Sequence, residues 1–125
     1  MSQDAMSQNV MSVSELLTHL QLGPVSFSEV MAVVDTHYRF SPTAFRNGQA
    51  RNASDTNNGS CKIFAFGKLH GLSEQATLNA FGDFYTKDVL GNPDGGDHAN
   101  IRNFMQTGWD GIAFDGEALQ DLGPA

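Results

Sequence analysis

Apolar positions along this chain fall into runs whose spacing is helical at the start, nearly continuous in the middle and helical again beyond it. Val13, Leu16, Leu17 and Leu20 recur at i, i+3, i+4 and i+7, the period of one helix face. Ser12-Val-Ser-Glu15 has the capping-box spacing, in which the serine oxygen takes the Glu15 amide while the Glu15 carboxylate reaches back. Gly23-Pro24 closes that helix. Ser26-Phe-Ser-Glu29 repeats the box and opens a second helix, with Phe27, Val30, Met31, Val34 and Tyr38 on one face and a stop before Ser41-Pro42. The two boxes predict an αα-hairpin.

The pattern changes after residue 40. Thr43 to Gly48 reads as one short strand and its turn, and residues 49–60, rich in Asn, Ser, Asp and Gly, read as a loop. Cys61 to Leu69 is almost continuously apolar, so periodicity alone leaves helix and strand both open. Ser60 as a cap and His70-Gly71 as a stop favour helix. Ser73 starts another helix through Leu78, Phe81, Gly82, Tyr85 and Val89 to Gly91-Asn-Pro93. Asp97 caps a further one through Ile101, Phe104 and Met105 to Gly108. Gly111 to Gly116 reads as a second strand, and its Ala-Phe-x-x-Gly pattern matches Ala44 to Gly48, so Phe45 is paired with Phe114. Glu117 to Leu122 reads as a last helical turn. Residues 1–10 have no apolar period and are expected to be a flexible tail. The expectation is a mainly α (α+β) protein: about five helices packed as one domain over residues 11–125, with a small two-stranded antiparallel ribbon.

Composition narrows the partners. Residues 1–82 carry six acids and five bases; residues 83–125 carry eight acids against Lys87 and Arg102. A net charge of −7 argues against nucleic acid and anionic membrane surfaces, both of which need a basic face. No apolar stretch approaches 18 residues, and one cysteine makes no internal disulfide. These features predict a monomeric cytoplasmic domain that binds neither nucleic acid nor membrane. The acidic half is either a solubilising face or a docking surface for a basic protein partner.

Cys61 is the sharpest chemical candidate, because a helix N-terminus favours thiolate. His98 would serve as its base and Asp110 or a nearby Asn as the orienting group. A lone Cys ahead of an apolar run is more often a small buried hydrophobe. Asp94-Gly-Gly-Asp-His98 lacks calcium-loop spacing, and there is no Cys pair for zinc, so neither metal nor cofactor is expected. Trp109 next to Asp110, with Asp97 nearby in sequence, is the expected binding patch: an aromatic anchor rimmed by acids, whose grip weakens with salt. Trp109 as a core anchor is the alternative.

Several long strings resemble one family. Tyr38 to Gly48 (YRFSPTAFRNG), Asn58 to Phe66 (NGSCKIFAF), Asp97 to Met105 (DHANIRNFM) and Gly108-Trp-Asp-Gly111 are similar to the HopJ type III effector proteins. The resemblance implies a bacterial effector-like protein without a transferable catalytic mechanism, and so a protein-binding domain. It also implies secretion through a type III system, for which the Ser-rich polar stretch Met1 to Val10 has a suitable composition. A small hydrolase or transferase built on Cys61 and His98, and a housekeeping cytoplasmic protein that is never secreted, are the alternatives.

Overall fold

The computed structural model describes residues 10–122. Its first two helices are α1 (Val13–Leu22) and α2 (Phe27–His37). Ser12 and Glu15 form the complete capping box, with both reciprocal bonds present. At α2 the Ser26 Oγ accepts from the Glu29 amide and donates to the Glu29 carboxylate, so that carboxylate does not return to the backbone. Leu16, Leu20, Val30, Val33 and Val34 are buried, as one apolar face per helix requires. Of the tail expected over residues 1–10, residues 1–9 lie outside the described residues, and Val10 packs against the core.

Tyr38 is not the last turn of α2. It opens β1 (Tyr38–Phe40), which pairs antiparallel with β5 (Leu119–Asp121), Tyr38 opposite Asp121 and Phe40 opposite Leu119. The last helical turn expected at Glu117 to Leu122 is therefore a strand. Its residues suit a helix locally, but β1 offers an unpaired edge, and extended backbone buries Leu119 while Gln120 and Asp121 face out.

Phe45 pairs with Phe114 as the matched Ala-Phe strings predict: β2 (Phe45–Asn47) lies against β4 (Ile112–Phe114). A third strand, β3 (Ala50–Asn52), joins the other edge of β2 through a Gly48-Gln49 turn, in the segment expected to be loop. Its composition is polar, and what holds it is tertiary: Asn52 is buried at its end.

The continuous apolar run is helix α3 (Asn58–Leu69), and it begins two residues before the expected Ser60 cap. Phe64 on α3 sits at the middle of an aromatic cluster, with ring centroids 5.9 Å from Phe45, 5.6 Å from Phe81 and 4.9 Å from Phe104. The helix expected from Ser73 to Gly91 is split into α4 (Glu74–Asn79) and a π-helical turn, Phe84–Val89. Gly82 makes the break. Its φ is +58°, and a Cβ there would stand 2.8 Å from the Val25 carbonyl oxygen, so the chain crosses the α1–α2 connection where only glycine fits.

Helix α5 (Ala99–Thr107) leads through a 3-10 turn (Gly108–Gly111) into β4. Asp97 does not cap it. His98 occupies the N-cap, in left-handed conformation, and Asp97 instead binds Arg102 at 2.6 Å.

Candidate functional site

A cleft of about 360 Å³ opens between the start of α2, β3 and the N-terminal ends of α3 and α5. That size lies at the lower end of the roughly 300–1,000 Å³ of ligand pockets. Three of the family-like strings meet there: one supplies β2 beneath it, one α3 and one α5.

One wall is aromatic. Phe27 meets Phe84 edge-on at 5.1 Å, and Phe84 lies 5.2 Å from the His98 ring. Phe84 is 39% exposed, unusual for a ring with two aromatic neighbours. Phe81 and Ile101 complete the apolar lining. The π-helical turn is what carries Phe84 to this wall, since α4 stops at Asn79 and the chain turns through Gly82.

The other wall is built of carboxamides. Asn52 and Asn100 form a reciprocal pair: Asn52 Nδ2 donates to Asn100 Oδ1 at 3.2 Å and Asn100 Nδ2 to Asn52 Oδ1 at 3.0 Å. Asn57 Nδ2 donates to Asn52 Oδ1 at 2.7 Å. Asn47, fully buried behind them, donates to the Asn100 backbone oxygen at 2.8 Å and to its Oδ1 at 3.0 Å. Both side-chain oxygens of the pair therefore accept twice, which fills their lone pairs. Asn47 spends both its amide hydrogens, whereas Asn52, Asn57 and Asn100 each spend one of two. The wall therefore offers unused N–H donors on Asn52, Asn57 and Asn100, while its free acceptors are Asn57 Oδ1 and the Ser60 hydroxyl, which can also donate.

Asn57 and His98 both hold left-handed backbone, φ +50° and +52°, at the N-caps of α3 and α5. Such conformations cost about 1–3 kcal/mol and persist only where their surroundings fix them. His98 is fixed through Nε2, 3.0 Å from Asp88 Oδ2, with Asp97 Oδ2 at 3.9 Å. Arg102 anchors the loop ahead of it through the carbonyls of Asn92, Pro93 and Asp97. That guanidinium also holds the Asp97 carboxyl below its ordinary pKa.

The residues expected from sequence are distributed otherwise. Cys61 is 1% exposed; its thiol faces the Thr43 carbonyl at 3.5 Å, and burial pushes its pKa up. His98 lines the cleft, but its partner is Asp88, not Cys61 or Asp110. Trp109 donates its indole N–H to the Leu72 carbonyl at 2.8 Å, meets Phe104 edge-on at 5.1 Å and lies over Gly67, where a Cβ would stand 3.0 Å from its ring. Asp110 is exposed beside it. Asp97 is at the opposite end of α5, a nine-residue helix about 13 Å long, so Trp109, Asp110 and Asp97 do not form one patch. Asn47, Asn52 and Asn57 escaped sequence reasoning because asparagine in polar stretches reads as turn.

Among the described residues no helix is long and apolar enough to cross a membrane, and no group of three or more His, Cys, Asp or Glu is placed to hold a metal ion.

Comparison with solved structures finds similarity to the crystal structure of an unknown function protein, VPA0580, at 49% identity and a TM-score of 0.86. The match covers 90% of this chain and 95% of that one. Comparison with curated proteins gives no match. The family model described as HopJ type III effector protein matches residues 13–119, nearly the whole described fold. This chain belongs to the HopJ type III effector protein family.

Proposed function

We propose that this HopJ-family chain is a protein-binding domain that holds a short segment of a partner protein in the cleft between α2, α3 and α5, and that, like an effector, it meets that partner after type III secretion. The observation that carries the reading is the cleft itself, where an exposed ring wall faces carboxamides already held in place by one another. Preorganised polar groups beside aromatic surface are what bind a peptide without much ordering cost. Panning a random peptide library on the folded protein tests it. Binding should drop at least tenfold in Ser60→Trp, which fills the cleft, and in Phe84→Ala, while Trp109→Phe and Asp110→Asn leave it unchanged. Peptides that ignore both cleft variants and are lost on Trp109 or Asp110 substitution would place recognition at the C-terminal end of α5 instead.

The His98–Asp88 contact favours one second reading, a hydrolase in which Ser60 rather than Cys61 is the nucleophile of the cleft. A fluorophosphonate probe that labels Ser60, and fails to do so in His98→Gln, would support it. No labelling at Ser60 sets it aside.

A further inference from the structure

We infer that the cleft is a receptor for a tyrosine side chain of the partner segment; this rests on the reading of the cleft as a peptide site. The class of side chain follows from the two walls. Phe84 stands about 5 Å from both Phe27 and the His98 ring, and a further ring extends such an edge-and-tilt arrangement with a gain beyond burial. An aliphatic side chain would bury area there without that gain. The carboxamide wall adds the second requirement. The oxygens of Asn52 and Asn100 are saturated and unused N–H hydrogens remain on Asn52, Asn57 and Asn100, while Asn57 Oδ1 and the Ser60 hydroxyl can accept. A group seated against that wall must bring an acceptor, because a group that only donates could reach Asn57 Oδ1 or Ser60 Oγ but would leave the amide hydrogens unpaired. Phenylalanine brings no polar tip, and the indole of tryptophan is a donor only. The phenolic hydroxyl of tyrosine accepts from the amide hydrogens and can donate to Asn57 Oδ1 or Ser60 Oγ, and it stands at the end of a ring.

Titrating the isotope-labelled protein with the N-acetyl amides of tyrosine, phenylalanine, tryptophan and leucine, followed by amide NMR shifts, tests the assignment. N-acetyltyrosinamide should move the signals of Ser60, His98 and Asn100 and bind about fivefold tighter than the phenylalanine or tryptophan compounds, the worth of one hydrogen bond of about 1 kcal/mol. The leucine compound should be weaker still. In Asn57→Gly, which suits the left-handed backbone and removes one donor, the preference for tyrosine over phenylalanine should shrink. Equal binding of the phenylalanine or tryptophan compound overturns the tyrosine assignment and leaves a peptide cleft standing. Equal binding of the leucine compound overturns the aromatic class. If none of the four moves a cleft signal, the tyrosine receptor and the peptide cleft both fall.

Discussion

Cys61 and Ser60 are neighbours in sequence with opposite fates, because one residue along a helix is about 100° around it. Ser60 faces the cleft, and Cys61 faces the sheet side, where its thiol meets the Thr43 carbonyl. The N-terminal position that suggested an activated thiol is real, but burial dominates and moves the pKa upward. Near neutral pH the native thiol should react with iodoacetamide more than about a hundredfold slower than in the urea-unfolded chain, since an opening costing about 3 kcal/mol already holds the exposed form below about 1%. Native and unfolded rates of the same order would mean that this end of α3 opens freely. Trp109 shows the same lesson. Its neighbours in sequence are acidic and glycine-rich, yet its indole is committed to Leu72 and Phe104.

At the scale of elements, the contact that joins α3 to the β1–β5 ribbon is a titratable pair. Tyr38 Oη on β1 lies 2.5 Å from His70 Nε2 at the C-terminal end of α3, and the His70 ring is 4.7 Å from Phe66. A neutral imidazole accepts the tyrosine proton at Nε2; a protonated one no longer can. Burial lowers the His70 pKa below 6.5, with Asp121 opposing. The unfolded state therefore binds the proton more readily, so this contribution to stability is full above pH 6.5 and declines as the pH falls below it. Urea midpoints should fall between pH 7 and pH 5.5, and the fall should flatten in His70→Gln. The carboxylates with lowered pKa, Glu15 and Asp97, lose their contributions only at more acidic pH. An unchanged slope in His70→Gln would show that protonation elsewhere controls this window.

Across the whole molecule, the two small sheets connect distant parts of the chain. The β1–β5 ribbon brings Tyr38 against Asp121, and β2–β4 brings Phe45 against Phe114, so the C-terminal strands clamp α3 against the αα-hairpin. Leu119 is the buried residue of β5 and pairs with Phe40. Leu119→Ala should cost about 2–5 kcal/mol in urea unfolding, the range for emptying a leucine site in a core. A cost below about 1 kcal/mol would mean that the ribbon forms without depending on that side chain. The acidity of the C-terminal half is partly compensated in three dimensions: Asp115 pairs with Arg51 and Asp97 with Arg102.

What could be read from the sequence alone is what short-range physics decides. Both N-terminal helices and their serine caps follow from periodicity and capping chemistry, whereas over Cys61 to Leu69 periodicity left helix and strand open and the expected Ser60 cap is not the one that forms. The Phe45–Phe114 pairing was legible because two strands carried matching strings. The family strings pointed to the family but not to the site. Where local preference conflicts with a distant partner, tertiary structure decided: β5 became a strand because β1 offered an edge, β3 because a buried amide network holds Asn52, and the helix after Ser73 broke because Gly82 had to pass the Val25 backbone. The cleft belongs to that second kind. Its asparagines come from β2, β3, α5 and the segment before α3, and an asparagine carries no sign in sequence that its hydrogen-bond partner lies 48 or 53 residues away.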